Sequence, residues 1–481
     1  NPIVIAALSF TPRHLVVRVN AKTAYTGGDR DNVQLQFNGD YASNYNVQYL
    51  AGVGSSYNAG RISAATTYLM GQTAADDAYW FAGGECLIPD ALSTRTHKSI
   101  ISLTGSNEDI VQAVAGRWAN TAAITSVTFT CVQSPNQWLA GSTFELCVVD
   151  ESFNIDQDGD GEQILGSAGT FSVGSIGAAD GDLVVIGNLR SDASRDNDST
   201  FLDINGDTTE SNYSSQYLYG SNTSVAAGTA ASRLFGNVTS NTAVASAFGT
   251  IIQQFTNFSD GSNDRVISAL SGYHADSGDS IVLTHSGRRN NTAAITSLAH
   301  SPNAGTNFIT GSMLSTYVVP KNLIERQELG SAAATVTFAD IPQTYDHLEV
   351  SWYANSDEDV TSLRGVSTTF NGDTGTNYAA QVLEATGTSV GAGSLTGQTD
   401  MPFAALTEGK SGAANEMSSG SFTVQNYTKT DRHKHLLAAY GVNERRLHLG
   451  SNRWASTAAV TSIAITQDFG DFIAGSVFTL R

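Results

Sequence analysis

A long internal repeat constrains this chain more than any other feature of its sequence. The segment Asn-Thr-Ala-Ala-Ile-Thr-Ser at 120–126 returns at 291–297 and, slightly altered, at 456–462. Phe-Asn-Gly-Asp at 37–40 has later counterparts in the same order, and both markers recur at a period of about 165–170 residues. Such a period is far longer than a solenoid repeat, and each unit is long enough to bury its own core. The pattern therefore predicts three homologous units.

The limits of the units follow from similar opening and closing segments. Gln-x-Leu-Gly-Ser occurs at 163–167 and 327–331, and Val-Val occurs at 148–149 and 318–319. The predicted organisation is listed in chain order: repeat one at 1–149, an acidic linker at 150–162, repeat two at 163–319, a second linker at 320–326 and repeat three at 327–481.

The local sequence pattern within each repeat is typical of β-strands. Segments such as 127–132 and 463–466 are β-branched or alternate between apolar and polar residues, and few apolar stretches recur at helical spacing. The Asn-Gly pairs add a strong hairpin signal, because both residues tolerate positive φ. We expect an all-β protein of three tandem β-sandwich domains, jelly-roll-like, arranged in a row.

Composition excludes several classes of partner. The chain has 25 basic and 45 acidic residues, which gives a net charge of −20, and only 15% of its residues are charged. This balance argues against binding to nucleic acid or to an anionic membrane surface. The three cysteines, Cys86, Cys131 and Cys147, are too few for a disulfide framework. They are predicted to be buried free thiols, with a Cys131–Cys147 bridge as the alternative.

The first linker carries the clearest chemical signal. Asp156, Asp158, Asp160 and Glu162 place carboxylates at alternate positions, with a glycine in the sixth position, as in a calcium-binding loop. The twelfth position is Ser167, where an EF-hand has a bidentate Glu. Two hypotheses remain open, a structural Ca²⁺ site and a solvated acidic hinge. No other cofactor is predicted.

Other candidate sites are weaker. Gly-Thr-Ser-Val-Gly at 387–391 has the spacing of a nucleophile elbow, but the residues that follow are typical of a loop and not of a helix. His433 and His435 would point to one face of a strand, where they could bind zinc. The basic residues beside them favour a basic surface patch instead. We predict no catalytic residue. The Arg residues that precede the repeated segment are predicted to pair with carboxylates or cap carbonyls, with partner binding as the alternative; they are Arg117, Arg288 and Arg453.

Repeat three carries a resemblance to a known family. Its segments at 338–348, 370–378, 454–462 and 472–480 occur in an order that resembles a domain of the virion structural proteins of tailed bacteriophages, of the aquatic-phage type. The resemblance covers nearly all of repeat three and is weaker in the other two repeats. It implies a place in a phage particle, and it provides no catalytic residues to transfer.

The expected function is a non-enzymatic virion structural protein at the surface of the extracellular particle, most simply a capsid decoration or cement protein. A tail or fibre appendage, or an adhesin that binds glycans, is the alternative. The expected partners are capsid or tail proteins of the same particle, and by analogy the chain itself in a homo-oligomer such as a trimer. Trp118 and Trp454 occupy matching positions, which indicates packing rather than a sugar-binding platform. Exposed aromatic residues clustered on one concave face would favour the adhesin.

Overall fold

The computed structural model describes residues 2–6, 14–75, 79–106, 109–133, 137–149, 162–177, 181–275, 279–320, 324–358, 364–407, 416–442 and 445–481. Over these residues the protein is all-β, as predicted. It contains 35 strands and one turn of 3-10 helix, Glu210–Asn212, and the described residues include no α-helix.

Eleven described strands belong to repeat one: β1 Ile3–Ala6, β2 Leu15–Thr23, β3 Arg30–Phe37, β4 Tyr45–Val53, β5 Ser56–Ala65, β6 Tyr68–Ala75, β7 Ala82–Ile88, β8 Lys98–Ser106, β9 Ile110–Trp118, β10 Ser126–Cys131 and β11 Thr143–Val148. The next twelve belong to repeat two: β12 Glu162–Ile164, β13 Phe171–Val173, β14 Gly181–Leu189, β15 Asn197–Ile204, β16 Tyr213–Ser221, β17 Ser224–Ala230, β18 Leu234–Thr239, β19 Gly249–Phe255, β20 Arg265–His274, β21 Ser280–Arg289, β22 Leu298–Pro302 and β23 Met313–Pro320.

The remaining twelve described strands begin at the end of the second predicted linker and run through repeat three: β24 Glu325–Glu328, β25 Thr335–Phe338, β26 His347–Ala354, β27 Arg364–Phe370, β28 Tyr378–Thr386, β29 Ser389–Gln398, β30 Met401–Thr407, β31 Ser418–Gln425, β32 Lys434–Val442, β33 Arg446–Trp454, β34 Ile463–Gln467 and β35 Val477–Leu480.

The strands form the same sheets in repeats two and three. An eight-stranded sheet in the order β12-β23-β14-β19-β20-β21-β16-β17 faces a four-stranded sheet in the order β13-β22-β15-β18, over the described residues. In repeat three, an eight-stranded sheet in the order β24-β35-β26-β31-β32-β33-β28-β29 faces a four-stranded sheet in the order β25-β34-β27-β30. In repeat one the two sheets join into one, because β2 pairs in parallel with β6 at Lys22 and Thr23. The chain crosses repeatedly between the sheets, as in a jelly roll, but it uses more strands than the eight of that fold.

Each repeat encloses its own hydrophobic core. In β2, Leu15, Val17 and Val19 are buried and alternate with two less buried residues, which is the period of a strand with one face on a core. The cores of the second and third repeats contain residues from both of their sheets. The units are therefore β-sandwiches.

The Asn-Gly turns have a different role from the predicted one. Asn38 and Gly39 both have positive φ, and Asp40 donates its backbone N–H to the carbonyl of Phe37 at 2.9 Å, as expected for a type I′ turn. However, β3 pairs with β10 and β6, whereas β4 pairs with β5 and β9. The turn thus carries the chain from one sheet to the other and does not close a two-stranded hairpin.

The repeats surround a common axis and do not lie in a row. Strands β4, β16 and β28 occupy the same position in their repeats, and each contacts the other two. A further hydrophobic cluster joins residues of all three repeats, among them Leu50, Leu218 and Leu383, which are fully buried. These leucines lie outside the cores of their own sandwiches. The packing between repeats therefore closes a ring with pseudo-threefold symmetry.

Candidate interaction site

One local network accounts for the repeated sequence markers. In repeat one the side-chain amide of Asn38 donates to the carbonyl of Ala123 at 2.7 Å, and its oxygen accepts the backbone N–H of Thr125 at 2.7 Å. Asn205 and Asn371 make the equivalent bonds in the other repeats. The Asn-Gly turn and the Thr-Ala-Ala segment recur together because each satisfies the backbone of the other.

A carboxylate extends this network into the core. Asp40 accepts the indole N–H of Trp118 at 2.8 Å, and Asp373 accepts that of Trp454 at 2.7 Å. Repeat two has Arg289 in this position, and its Nε donates to Asp207 at 3.0 Å. The Arg in place of Trp keeps an N–H donor to the carboxylate but lacks the aromatic ring.

The hydrogen bonds in this network lower the pKa of its three carboxylates. Burial would raise the pKa of Asp40, Asp207 and Asp373, but the hydrogen bonds outweigh it and hold each pKa below the usual value. Trp118 and Trp454 are buried, so they pack as predicted and do not present a face to a sugar.

Three glutamines close the ring of repeats. Gln48 donates its side-chain amide to the carbonyl of Asn222 at 3.0 Å, Gln216 donates to that of Gly387 at 2.8 Å, and Gln381 donates to that of Gly54 at 3.0 Å. Each acceptor lies at the hairpin tip between two strands of another repeat: β4–β5, β16–β17 or β28–β29. The bonds run from repeat one to two, from two to three and from three to one. This cyclic order is what a threefold axis within one chain requires.

Small residues let the strands approach closely around the axis. A Cβ on Gly105 would collide with Ser451, one on Gly272 with Ala115, and one on Gly441 with Ser286. These three pairs occupy matching positions and again link the repeats cyclically. At these positions a side chain would prevent the close approach of two repeats, and the glycines therefore allow that packing.

Two of the repeated arginines contact a neighbouring repeat. Arg288 pairs with Asp264 at 2.9 Å and with Glu416 of repeat three at 2.7 Å, and its guanidinium is largely buried. The guanidinium of Arg453 lies over the ring of Trp80 in repeat one, 4.6 Å from its centroid. Arg117 is buried as well. The carboxylate pairing that the sequence favoured thus holds for Arg288, and the contacts of Arg288 and Arg453 are intramolecular.

The predicted calcium ligands lie mostly outside the described residues. Asp156, Asp158 and Asp160 are not described, and Glu162 is the first residue of β12, paired with Ser315. Within the described ranges no group of three or more His, Cys, Asp or Glu side chains is placed to hold a metal ion. The calcium site remains a prediction.

The weaker candidates are not brought together as sites. The expected basic surface patch was wrong, because Arg432, Lys434 and His435 are buried. His435 Nε2 lies 3.1 Å from the hydroxyl of Ser451, whereas His433 stacks on Tyr79. Ser389 begins strand β29 directly after a hairpin tip, and that strand replaces the helix that a nucleophile elbow needs. The three cysteines are free, as predicted, and the alternative bridge is absent; Cys86 and Cys131 are buried as predicted, whereas Cys147 is only partly buried.

One end of the ring offers a surface that the sequence did not indicate. Strands β5, β17 and β29 are edge strands of their sheets, and each contacts the other two. Their exposed apolar residues are Tyr57 and Ile62 on β5 and Leu395 on β29. Tyr57 pairs with Gly52 on the side of the sheet toward the axis, whereas Ile62 and Leu395 pair with residues of the opposite side. We call the surface formed by these three strands the axial face.

A groove in repeat two was also missed. It has a volume of about 380 Å³. Its lining includes Tyr217, Tyr219, Asn237, Asp279 and His285. The alternation of Tyr at 217 and 219 along β16 was a usable signal, because the matching residues of the other repeats are not a pair of tyrosines.

Comparisons with known proteins do not identify the chain. No family model matches it, and no curated protein matches it. Among solved structures, a xylan β-1,4-xylosidase from Bacillus halodurans C-125 aligns over 80% of this chain and 96% of its own, at 8% identity and a TM-score of 0.17. OccK11 (OpdR) of Pseudomonas aeruginosa aligns over 91% of this chain and 96% of its own, at 7% identity and a TM-score of 0.10. Scores this low carry no argument about fold or function. No helix in the described ranges has the length and hydropathy to span a membrane.

Proposed function

We propose that this protein is a non-enzymatic structural protein of a virion, and that it decorates the capsid of a tailed phage as a cement protein. Two kinds of observation support the proposal. The motifs of repeat three resemble those of phage virion proteins, and the three repeats surround one axis.

The closed ring is the observation that carries the proposal. An icosahedral shell presents threefold and local threefold positions, and a partner with matching symmetry can make equivalent contacts with three neighbouring subunits there. Contacts that are weak one by one then add through effective concentration. The sequence led us to expect a homo-oligomer such as a trimer. Because the three repeats of one chain already surround a threefold axis, we propose that a single chain is the binding unit.

The axial face is the surface that we assign to the capsid. It lies on the pseudo-threefold axis, and its exposed Tyr57 provides an apolar contact for a lattice. The net charge of −20 would keep free chains apart in solution.

The experiment uses particles that lack this protein. Purified protein is added back, and the particles are heated while the release of their genome is followed by dye fluorescence. We expect the added protein to raise the release temperature, and we expect Tyr57→Glu to weaken binding. Tyr345→Glu is the control, because Tyr345 is 46% exposed and does not belong to the axial face. Particles that neither bind the protein nor gain stability would refute the decoration role.

A tail or fibre appendage that binds glycans is the second candidate. The observation that favours it is the groove of repeat two, where tyrosines cluster on one concave surface. Location on the particle separates the two candidates, because a tail protein is present in few copies at one vertex.

A further inference from the structure

The groove of repeat two faces away from the ring. Along β16, Gln216 and Leu218 point to the axis, where they contact the other repeats. Tyr217 and Tyr219 alternate with them and therefore point to the opposite side of the sheet. The groove thus lies on the opposite side of the sheet from the axial contacts.

The two tyrosines form an aromatic platform. Their ring centroids are 6.2 Å apart and their planes differ by 29°, so both rings offer a similarly oriented face. Tyr217 lies against Gly228 on the neighbouring strand, because a Cβ at Gly228 would collide with its ring. The rings of His285 and Tyr217 form a T-shaped pair with their centroids 6.1 Å apart. These contacts fix the platform before any ligand arrives.

Polar atoms without partners converge on the same groove. Ser215 Oγ, Asn237 Oδ1 and His285 Nδ1 are buried and have no hydrogen-bond partner, and all three residues line the groove. The residues Ser215 and His285 are 1% and 6% exposed. A buried polar group without a partner loses the hydrogen bonds that it would make with water, and this loss disfavours the folded state. Three of them in one groove are a reason to expect a ligand with hydroxyl or amide groups.

One carboxylate also lines the groove. Asp279 accepts the side-chain amide of Asn197 at 3.3 Å and that of Asn222 at 3.4 Å. Among the described lining residues there is no Lys or Arg. The groove therefore has acceptors for hydroxyl groups and no cation that would favour phosphate or sulfate.

The groove belongs to repeat two. The residues that match Tyr217 and Tyr219 are Tyr49 and Ala51 in repeat one, and Val382 and Glu384 in repeat three. Repeats one and three thus form the same sandwich without a pair of tyrosines, so the fold does not require the platform.

We propose that this groove is a binding site for a neutral saccharide, with the tyrosine rings stacked on its apolar face and the polar atoms bonded to its hydroxyls. Tyrosine rings combine an apolar face with a polar tip, and a sugar ring presents the same two kinds of surface. Neutral amide, hydroxyl and imidazole groups with one carboxylate are suited to bind hydroxyls. This site goes beyond the proposed decoration role and does not depend on it.

The test uses the full chain on a printed array of neutral and acidic oligosaccharides, followed by calorimetric titration with the neutral oligosaccharide that binds best. We expect binding to neutral members, and an affinity at least tenfold lower in Tyr217→Ala and in Asn237→Ala. Tyr49→Ala is the matched control, because a Cβ at Gly60 would collide with Tyr49 just as one at Gly228 would with Tyr217. We expect it to bind as the wild type does.

Three outcomes overturn the proposal: binding to no neutral saccharide on the array, preference for acidic members, or equal loss of binding in Tyr49→Ala and Tyr217→Ala. Circular dichroism of each variant establishes that it is folded. Because the array contains no particles, its result is separate from that of the decoration experiment.

Discussion

Truncation of one axial leucine tests whether the repeats close a ring. Leu383 is fully buried, and a Cβ at Gly52 of repeat one would lie 2.9 Å from its Cβ. Replacing it by Ala removes three carbon atoms, worth about 2.4 kcal/mol at about 0.8 kcal/mol for each buried methylene. The cavity left behind raises the expected cost to about 3–5 kcal/mol.

The assay is scanning calorimetry together with guanidinium unfolding followed by tryptophan fluorescence. We expect Leu383→Ala to unfold at a clearly lower temperature and denaturant concentration. Leu395→Ala, in the neighbouring strand β29, is the control, because Leu395 is 36% exposed and should change stability by less than about 0.5 kcal/mol. In a row of separate sandwiches Leu383 would lie on an outer surface. Equal, small effects of both variants would therefore refute the ring.

Further predictions concern the network that recurs in each repeat, the ring bonds and the linker. Trp454→Phe should lower stability by about 1–2 kcal/mol, because Asp373 loses a buried donor; an unchanged unfolding midpoint would contradict this. Because the folded pKa of Asp40, Asp207 and Asp373 lies below the usual 3.8, their contribution is present above that pH and is lost as the pH falls through the folded pKa. Melting temperatures measured from pH 6 to pH 2.5 should fall less steeply when all three are changed to Asn. Gln216→Ala should cost about 1–2 kcal/mol in guanidinium unfolding, because the carbonyl of Gly387 loses its donor, whereas Gln398→Ala, at an exposed bond, should be neutral. If the linker binds Ca²⁺, EGTA should lower the melting temperature of the wild type and leave that of a variant with Asp156, Asp158 and Asp160 changed to Asn unaltered.

Much of the fold could be predicted because its signals are local. Alternation in segments such as Leu15 to Val19 identifies strands, and the recurrence of short markers such as Phe-Asn-Gly-Asp at 37–40 identifies the repeats. The packing role of Trp118 followed from its match with Trp454, since a binding platform need not be repeated.

The ring could not be predicted because its contacts lie far apart in sequence. Gln48 and its acceptor Asn222 are separated by 174 positions, and nothing near either residue indicates the other. Leu50, Leu218 and Leu383 are apolar like the residues of a sandwich core, and the sequence does not say that they contact other repeats. The groove escaped notice for a similar reason, because its lining comes from several strands and connecting turns.

Imaging of the intact particle by electron cryo-microscopy tests the central claim most directly. The proposal predicts three-lobed densities on the outer surface of the shell, centred on threefold or local threefold axes, each accounted for by one chain with its axial face toward the capsid. Three chains at each position, density away from every threefold axis, or absence of the protein from the shell would contradict it.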